Sequence, residues 1–245
     1  MAIATNFQVT ASGALPQATT DTSVINARGT RYGDVATANI WPTSHMQAAE
    51  GSYFFVHNNQ SGIATAAAPT AFSATNPFLM LLNNDSPANP AAKRVYIDYV
   101  TLVATAVGTG AASVQAAVAV DAATRYTSGG TTLTTNIAKC NSAGNASVCA
   151  AYAGNLTAAA ATTAGRYLVG NRYLKGAIPV AGDTYTLSFG SVDQTAAFSI
   201  STILFSLQGI GPVILNPGEA FLLHLWFPSQ SGASSYAPEV GWTER

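Results

Sequence analysis

Hydrophobic positions along the chain fall in short runs bounded by Gly, Pro, Asn and Ser, and none repeats at the i, i+3, i+4, i+7 spacing of an amphipathic helix. The pattern predicts an antiparallel β protein. Segments 52–57 (SYFFVH), 78–82, 95–105 (VYIDYVTLVAT), 113–120 (SVQAAVAV), 131–137, 185–189 (YTLSF), 197–207 (AFSISTILFSL) and 220–227 (AFLLHLWF) read as strands. Eight strands suit a jelly roll, so the expected fold class is an all-β, antiparallel β-sandwich of jelly-roll type.

Segments 95–105 and 113–120, joined by AVGTGAA with turn glycines Gly108 and Gly110, read as one long hairpin. Strict alternation along the first of them puts Val95, Ile97, Tyr99 and Thr101 on one face and Tyr96, Asp98, Val100 and Leu102 on the other. Both faces are largely apolar, which places the strand in the middle of a sandwich or against a neighbouring subunit. The Ala-rich stretch AYAGNLTAAAATTAG (151–165) is the one place where alanine propensity favours a short helix, against which stand three threonines and two glycines. Residues 1–40 are rich in Thr, Ala, Ser and Asn and poor in large apolar groups. They read as an extended N-terminal arm, lying either on a neighbouring chain or along its own sheet, with the sandwich domain over 41–245.

Composition sharpens the picture. The 245 residues suit one large all-β domain or two small ones. Only 9% of them are charged, against roughly 25% in an ordinary soluble domain, while 48% are apolar. The net charge is -1 and the mean hydropathy +0.22. The few cations are scattered, so no basic footprint for nucleic acid exists. A surface covered instead by Ser, Thr, Asn, Gln, Gly and Ala favours association with other protein. The uncharged stretches 99–120 and 194–218 are interrupted by Gly, Ser, Thr, Gln or Pro and do not read as membrane spans. The start, MAIATNFQVT, has neither a basic nor an apolar region of a secretory signal, so synthesis in a cytoplasm is expected.

Candidate chemistry is sparse. Cys140 and Cys149 flank a polar loop (KCNSAGNASVC) that allows a disulfide, although two free thiols suit a reducing compartment better. The Asn-x-Ser/Thr triplets at Asn59, Asn145 and Asn155 arise by chance in so Ser- and Thr-rich a chain. His45, His57 and His224 share no metal-ligand spacing; His224, within FLLHLWF, reads as a hydrogen-bonded sheet residue and His57 as a turn or capping residue. Asp98, Asp121, Asp183, Asp193 and Glu219 are the carboxylates from which a hydrolytic pair would be drawn, with Asp183 and Glu219 placed to bind turn amides. Asn83, Asn84 and Asp85 offer oxygen atoms, but their spacing fits no defined calcium loop. Trp41, Tyr53, Phe54, Phe55, Trp226, Phe227, Tyr236 and Trp242 could form a sugar-stacking platform, although strand patterning assigns most of them to the core. Phosphate loops, nucleophile elbows and dinucleotide fingerprints are absent from the sequence, and Gly129 and Gly130 precede a strand rather than a helix.

The succession KRVYIDYVTL, AAVAVD, RYTSGGTTLTTN, RYLVGNRYLKGAIPVAGDTY, VILNPGEAFLLHLW, PSQSGASSY and GWTER, from about Glu50 to Arg245, resembles a group of tailed-bacteriophage virion structural proteins. Its most specific elements are RYTSGGTTLT (125–134) and NPGEAFLLHLWFPSQS (216–231). The resemblance implies a β-sandwich virion component of the capsid-decoration kind and brings no catalytic residue, cofactor or metal. A non-enzymatic head protein is therefore expected, a homotrimer in contact with the major capsid protein on the shell exterior. The alternative is a tail, collar or fibre component that binds host glycan or protein.

Overall fold

A computed structural model of the chain describes residues 47–59, 61–67, 69–160, 165–190 and 205–245. Fourteen strands occur among them: β1 (Tyr53–His57), β2 (Ile63–Ala64), β3 (Leu79–Asn83), β4 (Val95–Ala106), β5 (Val114–Asp121), β6 (Tyr126–Thr132), β7 (Ile137–Lys139), β8 (Cys149–Ala158), β9 (Arg166–Lys175), β10 (Thr184–Phe189), β11 (Phe205–Ile210), β12 (Val213–Leu215), β13 (Ala220–Trp226) and β14 (Ser235–Glu244). The first sheet runs β11-β10-β4-β14-β1-β7, with β12 beside β4 and β2 beside β14, and the second runs β6-β8-β3-β13-β5-β9.

Eight of these strands make a jelly roll. In chain order they are β1, β3, β4, β5, β9, β10, β13 and β14, and the first pairs with the last, the second with the seventh, the third with the sixth and the fourth with the fifth, all antiparallel. This is a long hairpin rolled upon itself into two facing sheets. Strands β6, β7 and β8 are an insertion between β5 and β9, and β7 and β8 extend one flank of both sheets beside β1 and β3. Strand β11 adds the only parallel pairing described, alongside β10.

The predicted hairpin of 95–105 with 113–120 does not form. β4 and β5 lie in different sheets, so the connecting residues 107–113 carry the chain across the sandwich. The pairing of β4 with β14 and β10 is long-range and outcompetes the local turn signal. The helix reading of 151–165 is also overturned over 151–158, since residues 149–158 are β8, held between β3 and β6, while 161–164 lie outside the described residues. Their alanines pack in the narrow space beside large neighbours, so tertiary burial overrides alanine's helix propensity. Segment 131–137 is not continuous strand. It divides into the end of β6, a 3-10 turn at Thr134–Asn136 and the start of β7, because Leu133 leaves the strand to sit fully buried in the core. Residues 1–40, Trp41, His45, Asp193 and the 197–204 part of the seventh predicted strand lie outside the described residues.

The main core fills the space between the sheets with Phe54, Val100, Leu102, Leu79, Leu81, Phe221, Leu223, Tyr236, Val240 and Trp242. The apparently two-faced β4 follows from a bulge rather than from burial on both sides. Gly241 and Trp242 of β14 face Tyr99 and Ile97, so Asp98 is the extra residue. Before it Val95 and Ile97 point inward; after it Val100, Leu102 and Ala104 do. One strand thus has a single buried face that changes parity at Asp98.

Candidate functional site

The outer face of the first sheet is built by alternate residues of β1, β14 and β4. Tyr53, Phe55 and His57 stand opposite Thr243, Gly241 and Glu239, and Tyr99 and Thr101 stand beyond Gly241 and Glu239. Gly241 is required there because the two tyrosines close over it: a Cβ would lie 2.3 Å from Cε1 of Tyr99 and 2.9 Å from the Tyr53 hydroxyl. Each phenol donates to a carboxylate, Tyr53 to Asp98 Oδ2 at 2.7 Å and Tyr99 to Glu239 Oε1 at 2.6 Å. Burial and the neighbouring carboxylates raise both phenol pKa values, so both are donors at any physiological pH. Phe55 stacks on His57 with centroids 5.7 Å apart. The result is a half-buried aromatic strip edged by two carboxylates, with hydrogen-bond acceptors beside ring faces.

The outer face of the second sheet is, by contrast, covered by the chain itself. Met80, Leu82, Ala119, Ala150, Leu156, Ala158, Ala220 and Leu222 make a second buried cluster, against which Tyr126 and Tyr152 stack at 4.0 Å. The 69–77 connection crosses this face. Phe72 meets the rings of His224 and Trp226 edge-on at 5.0 and 5.8 Å, and Asn76 Nδ2 donates to the Leu156 carbonyl. Strand β13 is therefore buried on both faces by its own chain, which accounts for part of the apolar excess in the composition.

Three buried charge sites brace this scaffold. Asp121 accepts from Arg166 Nε and Nη2 at 2.9 and 2.6 Å and from Arg125 Nη1, while Arg166 also donates to the carbonyls of Ala74 and Ala159. Asp183 Oδ2 accepts from Lys175 Nζ at 2.7 Å, from the Val180 amide at 2.7 Å and from the Tyr185 hydroxyl at 3.0 Å. Glu244 gathers Ser147 Oγ, the Val148 amide and Trp242 Nε1, with Lys93 Nζ at 3.5 Å.

Among the described residues, the carboxylates singled out in the sequence, Asp98, Asp121, Asp183 and Glu219, do not converge. Asp121 and Asp183 serve separate ion pairs, Asp98 lies on the outer aromatic strip, and Glu219 caps its own turn by accepting from the Asn216 amide at 2.8 Å and from Asn216 Nδ2 at 3.1 Å. Turn binding by Asp183 and Glu219 is as expected. Asp85 accepts from the backbone amides of Lys93 and Ser86, and the Lys93 amide is the main reason that its pKa is lowered. Buried Asn83 donates to the carbonyls of Lys93 and Leu215. That loop thus meets its own backbone requirements. His57 accepts from the Asn59 amide at 3.0 Å, the turn role expected of it. His224 is in the sheet and buried, but neither ring nitrogen has a hydrogen-bond partner among the described residues. Of the aromatic candidates, Phe54, Phe227, Tyr236 and Trp242 are fully buried core, Trp226 lies beneath Phe72, and Tyr53 and Phe55 remain on the outer strip. Sequence reasoning missed Tyr99, Gly241 and Glu239, which only strand register brings beside Tyr53. Cys140 and Cys149 are both free thiols, the former exposed and the latter buried.

The large exposed apolar side chains concentrate on one flank. Tyr167, Leu168, Val169 and Tyr173 project from β9, Ile178 and Val180 from the loop that follows it, and Leu207 from β11. β9 and β11 are neighbours there, since Arg172 Nη2 donates to the Gly209 carbonyl at 2.9 Å. Comparison with protein-family models, curated proteins and solved structures finds no match for the chain.

Proposed function

We propose that the chain is a non-enzymatic structural protein of a bacteriophage virion, made in the host cytoplasm. On this reading it is a head decoration protein that binds the major capsid protein on the shell exterior as an oligomer, a homotrimer in the first instance. The observation that carries the reading is the exposed apolar flank around β9 on a chain with only 21 formally charged side chains. Exposed contiguous apolar surface marks contact with other protein. Small uncharged side chains elsewhere allow close backbone approach with little side-chain entropy to lose. The sequence resemblance points the same way.

The test is uptake by heads assembled without the protein. Purified chain is expected to bind them saturably and to raise their resistance to heat. Heads that take up none of it refute the reading.

The aromatic strip on the first sheet favours a second reading, a tail, collar or fibre component that binds host glycan. Tyr53, Phe55 and Tyr99 supply ring faces, and Asp98 and Glu239 supply acceptors for sugar hydroxyls. Glycan binding that is lost in Tyr99→Ala while the fold is retained supports this alternative, and a glycan screen with no saturable ligand removes it.

A further inference from the structure

We propose that the free edge of β9 pairs antiparallel with the β9 edge of a second copy of this chain, so that two six-stranded sheets become one continuous sheet across a twofold axis. The inference rests on the self-association in the preceding reading and assigns it a surface. It is a two-body contact, so within a shell it would join neighbouring oligomers and leave the trimer to other surfaces.

Among the described residues β5 is the only strand that pairs with β9, which ends the second sheet. Its ten residues leave a long row of backbone donors and acceptors on the other side, the template to which an additional strand binds. Soluble proteins normally guard such an edge with outward charge, proline or a bulge that turns the strand away. Here all three cations of β9 are engaged within the chain: Arg166 by Asp121, Arg172 by the carbonyls of Asn171 and Gly209, and Lys175 by Asp183. What remains outward is apolar, with Tyr167 57%, Leu168 60% and Tyr173 56% exposed. The strand contains no proline, and its two register shifts with β5, at Val169 and Leu174, leave Leu168 and Tyr173 on the same outer face.

The other end of the same sheet differs in its side chains. β6 carries Gly129 and Gly130, both at positive φ, and its register with β8 shifts between Tyr126 and Ser128 and again between Gly129 and Thr131. Those breaks twist the edge, and its exposed side chains are mostly Thr, Ser and Gly. Both edges of the second sheet carry register shifts, and of the two only β9 presents large exposed apolar side chains.

The sequence of β9 also suits a copy of itself. Arg-Tyr-Leu occurs at 166–168 and again at 172–174, on either side of Gly170 and Asn171. Antiparallel pairing about Asn171 lays exposed Leu168 of one copy against exposed Tyr173 of the other, the irregularity at Val169 keeping both on the outer face, and a twofold contact must be self-complementary in this sense. Leu168 and Tyr173 stand opposite Ala119 and Gln115 of β5, on the outer face. Pairing would carry that apolar face across to the second copy, where aromatic and aliphatic cross-strand pairs stabilise a sheet.

The test is sedimentation of the full chain over a wide concentration range. Unmodified protein is expected to self-associate. The double variant Leu168→Lys/Tyr173→Lys, at two exposed positions, is expected to weaken that association at least tenfold with its circular dichroism and melting unchanged. Thr131→Lys on β6 is expected to leave association as it was. Mixing the double-lysine variant with Leu168→Glu/Tyr173→Glu should restore association, because only β9 facing β9 brings the opposite charges together. An unmodified chain that stays monomeric, or a double-lysine variant that associates like the original, overturns the inference. Head uptake separates the two claims: a monomeric chain that still decorates heads ends this inference and keeps the virion reading, and an associating chain that ignores heads does the reverse.

Discussion

His224 makes a sharp prediction about stability and pH. It sits in the middle of β13, 1% exposed, beneath Phe72, with Ala117 of β5 beside it, and with both ring nitrogens unpartnered among the described residues. Burial is the main force lowering its pKa to about 4 from 6.5, and the positive Arg166 adds to it. The nearby backbone of Ser73 and Asn76 offsets part of this without closing a hydrogen bond to the ring. Between pH 6.5 and about 4 the unfolded chain therefore binds a proton that the folded chain refuses, so stability falls as the pH falls through that window. Each tenfold change in proton affinity is worth about 1.4 kcal/mol, which makes the full loss about 3 kcal/mol. His224→Leu removes the titrating group together with two orphaned polar atoms. The variant is expected to be more stable at pH 7 by about 1–3 kcal/mol, the usual penalty for unsatisfied buried polar groups. Urea denaturation of both chains between pH 7 and pH 4 provides the assay, and the difference between the two curves isolates His224 from the carboxylates that titrate in both. Parallel curves across the whole range would refute the reasoning.

Four further outcomes rest on other parts of the fold. Asp121→Asn leaves Arg166, whose side chain is only 7% exposed, without its anion, and should cost about 3–5 kcal/mol by chemical denaturation. Much of that loss should be recovered when Arg166→Gln is added. Gly241→Ala drives a Cβ into Tyr99 and the Tyr53 hydroxyl and should cost about 1–3 kcal/mol; adding Tyr99→Ala relieves the larger clash, so a double-mutant cycle should show coupling. Trp242→Ala empties a fully buried core position stacked on Phe54 and should cost about 3–5 kcal/mol, so any ligand binding lost with it should be lost together with the fold. A thiol reagent should modify Cys140 in the folded chain and reach Cys149 only on unfolding, since Cys149 is buried and burial, with help from Glu244, raises its pKa well above the ordinary thiol value; mass spectrometry after brief labelling reads this directly.

The sequence alone determined the class of fold and much of its strand content. Short apolar runs between turn residues mark β1, β3, β4, β5, β10 and β13, alternating in β1, β4 and β10, where one face is buried, and continuous in β3 and β13, where both are. The same signal was present in β14, where Tyr236, Pro238, Val240 and Trp242 alternate into the core. The proline masked it. Pro238 is tolerated in this central strand because it falls between the residues that face β1 and those that face β2. β9 was illegible for a different reason: an exposed edge strand has no buried face to impose a pattern on it.

Tertiary structure decided which strands meet. The local turn at Gly108 and Gly110 favoured pairing β4 with β5, but the rolled jelly-roll topology separates them and gives each a long-range partner that buries more surface. The bulge at Asp98, the closure of two tyrosines over Gly241 and the capture of the β9 cations by Asp121, Asp183 and the Gly209 carbonyl all depend on register across segments distant in the chain. No local pattern encodes such a register, because it is fixed by which faces can be buried together once the sheets are stacked.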